Sequence, residues 1–382
     1  MAVAGAGAFG RNHLRVYREL ETAGLGVTLV AAIEPDPARA AESAGKYAIP
    51  VFATPEELLH ADLKIDAATV AVPTVYHHDV ASTLLDAGLD LLVEKPLAAS
   101  LAEADDLIAR AEKGARILQP GHLERFNPAV LSIQPQLRRP MFFEAHRLSV
   151  FTPRSLDVDV VLDLMIHDLD IVLTFAKSPV REVRAVGLPI LSPKVDIANV
   201  RVEFESGCVA NFTASRVSTE RVRKLRFFEP RQYVSIDYAR QDLLVISVDG
   251  ASGAGELPPQ IAAVLASGKI DISKIDLSQL DLSKINLSGI DLSAINPAML
   301  AQLAGQASGP APGLSFSKPE VTPGEPLRLE ICSFLESVRT RRTPQVTARQ
   351  GRDALALALE IQASMEAHAH RAGLADFFAP GA

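Results

Sequence analysis

Three glycines near the start of the chain constrain its fold more than any other feature. Gly5, Gly7 and Gly10 form a GxGxxG pattern between a short apolar segment, residues 2–4, and a stretch with helical spacing, residues 12–23. The first glycine permits a tight turn, the second lets the backbone approach a pyrophosphate, and the third lets a helix pack against a strand. The N-terminus of such a helix attracts anions through its free N–H groups. The pattern therefore predicts a strand, a turn and a helix that together bind a dinucleotide.

The first third of the chain alternates between apolar runs and helical patterns. Predicted strands cover residues 27–33, 67–72, 90–93 and 115–118, and predicted helices cover residues 37–47, 55–60, 78–87 and 100–113. Strands that alternate with helices of this length imply βαβ units and a parallel sheet. Right-handed crossovers then give an α/β, doubly wound Rossmann domain, which we expect to span residues 1–122.

The remainder of the chain, residues 123–382, predicts a second domain of a different class. Predicted strands at residues 141–151, 180–188, 195–204, 208–216, 222–228 and 232–238 are interrupted by one good helix, at residues 160–176. Closely spaced strands favour a largely antiparallel open sheet with the helix on one face, and therefore an α+β domain. Two helical patterns, residues 327–339 and 352–368, follow.

Residues 249–319 match neither pattern. Five consecutive pentapeptides, among them IDLSQ and LDLSK, run from Ile270 to Ala294, and the sequence that follows is rich in Gly, Pro and Ser. A pentapeptide β-helix uses about four repeats per coil, so five repeats bury too little surface to form a core alone. We therefore expect a low-complexity surface insertion rather than a third domain.

Composition and charge narrow the class of protein. The chain has 382 residues, 48% of them hydrophobic, which excludes a disordered chain. Its net charge of −8 argues against a nucleic-acid partner. No apolar run reaches the ~18–20 residues of a membrane span, and the N-terminus lacks the pattern of a secretory signal. Two cysteines, and no His/Cys cluster with metal-ligand spacing, favour a cytoplasmic protein without a metal site.

Side chains at the carboxyl ends of the predicted strands are candidate cofactor ligands, because open α/β sheets bind ligands at that edge. Glu34 ends the second strand. A carboxylate there hydrogen-bonds the adenine ribose and repels a 2′-phosphate, which favours NAD over NADP. The candidate cofactor-binding residues are Gly5, Gly7, Ala8, Phe9, Gly10, Glu34, Pro73, Thr74, His77, Glu94 and Lys95.

A lysine at such a strand end is also a candidate catalytic group. Lys95 lies between Glu94 and Pro96, at the rim of the predicted cofactor site. Asp163 and His167 are four residues apart and therefore share one face of the predicted helix. A neutral His is well suited to accept an alcohol proton near pH 7, and a nearby carboxylate stabilises its charged form.

The GxGxxG opening, the VPT segment before His77, the EKP motif and the Asp163–His167 pair are together similar to the Gfo/Idh/MocA oxidoreductase family. The resemblance covers residues 1–245 and 325–370, and the insertion does not match it. It implies an N-terminal Rossmann domain that binds NAD and a C-terminal domain with an open, mostly antiparallel sheet.

The resemblance also implies roles for four residues. The lysine of the EKP motif, Lys95, is expected to touch both substrate and nicotinamide, and its bond to Pro96 is expected to be cis. Asp163 and His167 are expected to lie over the nicotinamide. Members of the family are usually oligomeric, so a homo-oligomer, either a dimer or a tetramer, is expected.

A narrower resemblance involves residues 121–128 and 147–222, which are similar to family members that act on nucleotide sugars. It implies NAD-dependent oxidation of the C3 hydroxyl of a UDP-amino sugar, from UDP-N-acetylglucosamine to its 3-keto form, for lipid A or surface-glycan assembly. Guanidinium groups match phosphate geometry, so Arg125 and Arg147, with Asn127, are the predicted substrate ligands at the diphosphate.

Two alternatives remain open at this point. One is a dehydrogenase of a UDP-uronic acid sugar, a free sugar or an inositol, and a UDP-uronate would need an additional cation that the sequence does not place. The other is a non-catalytic NAD-dependent sensor on the same fold. A sensor could lose Lys95 or His167 without penalty, and this chain retains both.

Overall fold

The structure is a computed structural model, and it describes residues 1–151, 158–248 and 314–374. Its first part is a six-stranded parallel sheet flanked by helices. The strands are β1 (Ala2–Ala4), β2 (Ala31–Ile33), β3 (Val51–Phe52), β4 (Ala67–Val70), β5 (Asp90–Glu94) and β6 (Leu118–Gly121). The helices are α1 (Gly10–Thr22), α2 (Pro37–Tyr47), α3 (Pro55–His60), α4 (His77–Asp86) and α5 (Leu101–Lys113). The strand order β3-β2-β1-β4-β5-β6 confirms the predicted doubly wound fold.

Capping residues explain where these helices begin. The side chains of Asp36, Thr54 and Ser100 each accept the backbone N–H three residues on, at the starts of α2, α3 and α5. Pro37 and Pro55 occupy the first helical position, where a missing N–H costs nothing. The starts of α2 and α3 therefore agree with those read from the sequence.

Strand β6 begins later than predicted. Ala115 has a left-handed backbone with φ of 51°, which a strand does not accommodate. The backbone N–H of Ile117 then donates to the carboxylate of Asp90 at 2.7 Å, and regular pairing starts only at Leu118. The apolar run at residues 115–118 thus contains a turn followed by the first residue of the strand.

The second part is an eight-stranded, largely antiparallel sheet. Its strands are β7 (Phe142–Leu148), β8 (Val180–Leu188), β9 (Ile197–Phe204), β10 (Val209–Ser215), β11 (Val222–Glu229), β12 (Gln232–Asp237), β13 (Asp242–Val248) and β14 (Leu314–Ser317). The order is β14-β13-β12-β11-β7-β10-β9-β8, and only β7 and β10 are parallel. The predicted α+β class is therefore confirmed. A short helix, α6 (Pro128–Ile133), precedes the sheet.

One helix packs across the inner face of this sheet. It consists of a π-helical turn (Val161–Met165) and α7 (Ile166–Ala176), where the sequence predicts one continuous helix. Phe175 of α7 lies edge-on against Phe227 of β11, with ring centroids 5.8 Å apart. The inner face is apolar because alternate residues of each strand point to it.

The predicted insertion at residues 249–319 requires a correction at its end. Residues 314–317 form β14, an edge strand that pairs antiparallel with β13. The pentapeptide repeats lie outside the described residues. Strand β13 was not predicted either, although its sequence DLLVISV is apolar and partly β-branched.

Two further helices follow, α8 (Pro326–Thr340), which packs on the first sheet, and α9 (Ala348–Arg371), which joins both cores. Leu327, Ile331 and Phe334 of α8 are buried in a cluster with residues of β1 and α1. Helix α9 places Leu355 in the core of the first sheet and Ile361 in that of the second. No helix within the described ranges is both long and apolar enough to cross a membrane.

Candidate active site

The carboxyl ends of the parallel strands form one edge of the first sheet, and the candidate residues collect there. The loops after β1, β2, β4 and β5 carry the glycine-rich turn, Glu34, the Pro73-Thr74 segment and Lys95. The π-helical turn before α7 reaches the same edge, because Lys95 Nζ donates to the backbone carbonyl of Asp163 at 2.6 Å. The loop after β5 and the π-helical turn before α7 therefore meet at the position where the catalytic group is predicted.

The glycine-rich turn has the shape that a pyrophosphate requires. Gly5 has φ of +93°, and a Cβ there would lie 2.6 Å from the carbonyl oxygen of Ala71. A Cβ on Gly10 would lie 1.9 Å from the carbonyl oxygen of Gly5. A Cβ on Gly7, in contrast, would meet nothing within 4 Å. The turn is closed against the protein on two sides and open at Gly7, so it fits the phosphates of NAD at the start of α1.

Glu34 lies against this turn. Its carboxylate accepts the backbone N–H of Ala6 at 2.9 Å and that of Asp36 at 3.0 Å, and Arg39 donates to it at 2.9 Å. Burial raises the pKa of Glu34, but the hydrogen bonds from Arg39, Asp36 and Ala6 outweigh it and lower the pKa overall. Glu34 is therefore a fixed anion beside the predicted adenosine site.

Lys95 and Asp163 form the centre of the predicted catalytic group. The Nζ of Lys95 lies 3.6 Å from Asp163 Oδ1, in addition to its bond to the backbone carbonyl of Asp163. The side chains are 18% and 26% exposed, so both are partly accessible from outside. The peptide bond between Lys95 and Pro96 is cis, as the resemblance implies. The ammonium is thus held at the rim by a residue of the second part of the chain.

His167 follows on α7. Burial lowers its pKa well below the usual value, and the positive charges of Lys95 and Arg147 lower it further. Its Nδ1 has no hydrogen-bond partner among the described residues. A neutral imidazole near a fixed ammonium is suited to accept a proton from a substrate hydroxyl.

Glu94 and His77 have internal partners. Glu94 is 6% exposed, and its Oε1 lies 2.8 Å from His13 Nε2. A Cβ on Gly121 would lie 2.9 Å from this carboxylate, so the glycine makes room for it. The ring of His77 is buried, with nitrogens 2.8 Å from the carbonyl of Pro96 and 2.9 Å from that of Val72. His77 thereby ties together the loops after β4 and β5, and contact of either residue with cofactor stays a prediction.

Four other predicted cofactor residues lie at the surface of this edge. Ala8 and Phe9 are exposed at the start of α1, and the ring of Phe9 packs edge-on against His13 at 5.4 Å. Pro73 is exposed and Thr74 half-buried where a short 3₁₀ turn begins. Their positions beside the strand ends are compatible with the predicted role.

The structure does not place Arg147 as an open donor for a diphosphate. Its guanidinium makes two bonds to Asp168, at 2.7 and 3.0 Å, and one to Glu124 at 3.0 Å. It also stacks over the ring of Tyr238, 5.1 Å from the centroid. Arg147 is 3% exposed, so its guanidinium is engaged by partners inside the protein.

Arg125 and Asn127 are buried in the same region. Arg125 donates to Asp170 at 3.3 Å and to the hydroxyl of Thr174. Asn127 accepts the N–H of Ala129 at the start of α6, and its amide donates to the carbonyl of Tyr238. The sequence indicates suitable donors but not the acidic and backbone partners that engage them. The diphosphate role of these two residues and Arg147 therefore stays a prediction.

Sequence reasoning missed a group of buried polar side chains. Both amide atoms of Gln119, both ring nitrogens of His122 and both carboxylate oxygens of Glu330 lack hydrogen-bond partners within the described ranges. Burial, together with the negative charges of Glu94 and Asp170, raises the pKa of Glu330 well above its usual value. The sequence does give an indication of Glu330, because this acidic residue interrupts the apolar face of its helix.

Comparison with protein-family models matches residues 1–122 to an oxidoreductase family with an NAD-binding Rossmann fold, Gfo/Idh/MocA, and residues 130–231 to a C-terminal domain of that family. A curated relative, UDP-N-acetylglucosamine 3-dehydrogenase of Acidithiobacillus ferrooxidans, is 36% identical over 257 residues, which are 67% of this chain and 78% of the relative. The chain belongs to the Gfo/Idh/MocA oxidoreductase family. The predicted enzyme class and the predicted cofactor, NAD, are confirmed with it.

Three other known proteins extend the comparison. A solved structure of UDP-N-acetylglucosamine 3-dehydrogenase GnnA from Acidithiobacillus ferrooxidans matches with a TM-score of 0.75 at 30% identity, over 96% of this chain and 97% of that one. Levoglucosan dehydrogenase in complex with NADH matches with a TM-score of 0.72 at 14% identity, over 96% of each chain, which shows the fold alone. An inositol 2-dehydrogenase of Acidothermus cellulolyticus is 31% identical over 190 residues, 48% of this chain and 54% of the relative.

Within residues 1–151, 158–248 and 314–374, no three His, Cys, Asp or Glu side chains are grouped to hold a metal ion.

Proposed function

We propose that this enzyme oxidises the C3 hydroxyl of UDP-N-acetylglucosamine to the 3-keto sugar. The observation that carries the proposal is the 36% identity over 257 residues to the UDP-N-acetylglucosamine 3-dehydrogenase of Acidithiobacillus ferrooxidans. The product would enter lipid A or surface-glycan assembly, and the enzyme would work in the cytoplasm as a homo-oligomer. The lysine, aspartate and histidine at the sheet edge supply the groups that such an oxidation needs.

Lys95 acts on the oxygen of the substrate hydroxyl. Its ammonium donates a hydrogen bond to that oxygen and stabilises the negative charge that develops when the proton leaves. The carboxylate and backbone carbonyl of Asp163 hold the ammonium in place, at 3.6 and 2.6 Å. Asp163 is in this proposal the residue that aims the lysine.

His167 acts as the general base. It takes the hydroxyl proton and becomes an imidazolium, while the C3 carbon becomes a carbonyl. The glycine-rich turn and Glu34 would hold NAD⁺, which when bound would supply the acceptor for the C3 hydride. Because the pKa of His167 is lowered well below its usual value, the base is unprotonated across neutral pH. We expect no loss of kcat/KM from its protonation between pH 8 and pH 7.

A substrate panel with NAD⁺ and NADP⁺ tests the proposal. UDP-N-acetylglucosamine, its uronic acid, free N-acetylglucosamine and myo-inositol would each be supplied, and formation of reduced cofactor followed. A coupled aminotransferase that removes the ketone prevents an unfavourable equilibrium from hiding activity. We expect turnover of UDP-N-acetylglucosamine with NAD⁺. Turnover of a free polyol alone would refute the proposal.

Two variants test the assigned roles. Lys95→Met and His167→Asn should each lower kcat by roughly 10²–10⁴-fold, the usual contribution of such groups. His146→Asn is the matched control, since His146 lies on the opposite face of the second sheet from the buried Arg147. Near wild-type rates for both site variants would refute the roles. Absence of turnover of every substrate by the wild-type protein would instead favour the sensor alternative.

A dehydrogenase of inositol is the second candidate. The observation in its favour is the 31% identity over 190 residues to the inositol 2-dehydrogenase of Acidothermus cellulolyticus. The shorter match, about half of each chain, makes it the weaker of the two. The myo-inositol arm of the panel distinguishes them.

A further inference from the structure

The ring of His167 has one nitrogen on the inner side of α7. The residue is half-buried, and its Nδ1 is buried without a hydrogen-bond partner among the described residues. A histidine that accepts a proton at Nε2 carries its own hydrogen on Nδ1, so the imidazolium has an N–H that points inward. Its positive charge lies near the cations of Lys95 and Arg147, which disfavour it. A route that takes the inner proton away therefore favours the reaction.

His122 lies on this inner side, directly after β6. Asp170 is three residues after His167 on α7, so the side chains of these two residues share one side of the helix. The Nδ1 of His122 lies 3.9 Å from Oδ2 of Asp170, and both residues are buried. The charge of His122 also lowers the pKa of His167. The three side chains therefore form one buried group.

The facing atoms of this group are not tied up in hydrogen bonds. Within the described ranges, Nδ1 of His167, both nitrogens of His122 and Oδ2 of Asp170 all lack a hydrogen-bond partner. Buried polar atoms without a protein partner generally bind ordered water, because leaving them unbonded is costly. The 3.9 Å between His122 and Asp170 is too long for a direct hydrogen bond and suits a bridging water. The atoms thus form a series along which a proton can move.

Asp170 is suited to receive the proton at the end of this series. Its Oδ1 lies 3.3 Å from the guanidinium of Arg125, which leaves Oδ2 for another donor. The negative charge of Asp170 helps to raise the pKa of the buried Glu330 on α8. The same repulsion between two carboxylates favours a proton on Asp170.

His122 is suited to pass a proton on rather than to keep it. Burial is the largest influence on its pKa and lowers it, so the ring is neutral, with one nitrogen that accepts and one that donates. The charged groups that act on it have both signs. Asp170 and Glu94 raise its pKa, whereas Arg125 and Lys95 lower it. No charge of one sign dominates around the ring.

We propose that His122 is a proton relay between His167 and Asp170. When the substrate O–H bond breaks, an N–H bond forms at Nε2 of His167, and the proton on its Nδ1 passes to one nitrogen of His122. The other nitrogen of His122 gives its proton to Oδ2 of Asp170. The electron pair of the substrate C–H bond leaves with the hydride, so only protons move along the relay. After the ketone departs, the protons return by the same route, and His167 releases one to solvent.

The relay rests on the proposed role of His167 as general base, and single-turnover NADH formation in mixtures of H₂O and D₂O tests it. His122→Phe keeps a buried ring and removes both nitrogens. The rate should fall about tenfold or more, and the sugar concentration that gives half the maximal rate should change less than about twofold, because His122 does not touch the sugar. The wild-type rate should fall along a curve with deuterium fraction, as several protons move, and the variant's along a straight line. An unchanged rate, or a slower rate with the wild-type curve, would overturn the relay.

Two further variants complete the test. His146→Phe makes the same substitution on the opposite face of the second sheet and should change neither the rate nor the curve. If His122→Phe does not fold, His122→Asn replaces it, since an amide binds water but does not titrate, and it should give the same slow, linear response. The substrate is whichever panel sugar the wild-type enzyme oxidises. Oxidation of another sugar would refute the choice of UDP-N-acetylglucosamine and leave the relay to the same measurement, and oxidation of none would overturn both.

Discussion

Gly10 and Gly7 of the glycine-rich motif predict different effects of the same substitution to alanine. In Gly10→Ala the new Cβ would lie 1.9 Å from the carbonyl oxygen of Gly5, whereas real Cβ atoms essentially never come within 3.0 Å of a heavy atom. The clash is with backbone, so α1 itself must move away from β1. Overpacking of this kind costs typically 1–3 kcal/mol, and an unyielding backbone contact places the cost at about 3 kcal/mol or above.

Gly7→Ala should weaken cofactor binding rather than the stability of the fold. Its Cβ would meet nothing within 4 Å, and its backbone has no positive φ, so stability should change by less than about 1 kcal/mol. The methyl group would occupy the open side of the turn, where a pyrophosphate approaches the backbone. Loss of one charge-assisted hydrogen bond to phosphate corresponds to roughly tenfold weaker NADH binding.

Thermal unfolding and NADH titration of both variants separate these effects. Gly10→Ala should lower the melting temperature by about 6 °C or more, at 2–4 °C per kcal/mol for a domain of this size. Gly7→Ala should melt like the wild type and bind NADH poorly. Gly45→Ala, in open space on α2, is the control for an added methyl group. If Gly7→Ala binds NADH normally, or Gly10→Ala melts normally, the assignment of the two glycines is wrong.

Three further predictions concern buried polar groups. Arg147→Met should destabilise the protein by roughly 3–5 kcal/mol in thermal unfolding, because it leaves acidic partners unpaired. The control Arg226→Met, at a half-buried position 3.8 Å from Glu144, should cost under about 1 kcal/mol, and equal effects would contradict a structural role for Arg147. Glu330→Gln should stabilise the fold by roughly 1–3 kcal/mol at pH 8 and little at pH 4.5. Because the pKa of Glu330 is raised in the folded protein, the wild-type free energy of unfolding falls as pH rises above the pKa of this carboxyl in the unfolded chain. A stabilisation by Glu330→Gln that does not depend on pH would refute this prediction. His13→Phe removes the 2.8 Å partner of Glu94 and should cost about 1–3 kcal/mol, and an unchanged melting temperature would argue against that pair.

The sequence predicted those parts of the fold that depend on local pattern. Helix starts with a cap and a proline, such as Asp36-Pro37, agree with the structure, because capping is determined by neighbouring residues. Strand β14 was missed because it pairs with β13 across residues 249–313, and no local signal reports such a partner. The π-helical turn before α7 likewise has the apolar spacing of an ordinary helix.

The candidate site also contains both residues that local sequence pattern predicts and residues whose role depends on long-range contacts. The glycine-rich turn, Glu34 and Lys95 follow from their positions at strand ends, where topology gathers side chains. For Arg147 the sequence gives the charge but not the partner, since Asp168 is 21 residues away and meets it only after α7 has packed on the second sheet. Whether a charged side chain serves the substrate or the core depends on such long-range contacts.

The packing of α8 against β1 and α1 has a consequence for synthesis. As the chain emerges from the ribosome, the six parallel strands are complete once residue 121 has appeared, yet the apolar surface that Ile331 and Phe334 cover stays bare until far more of the chain has followed. The nucleotide-binding domain is thus translated first, and its apolar surface is covered late. Its nascent form has to be protected from aggregation throughout translation of the second sheet and the repeat segment, and truncation before α8 should yield an insoluble product.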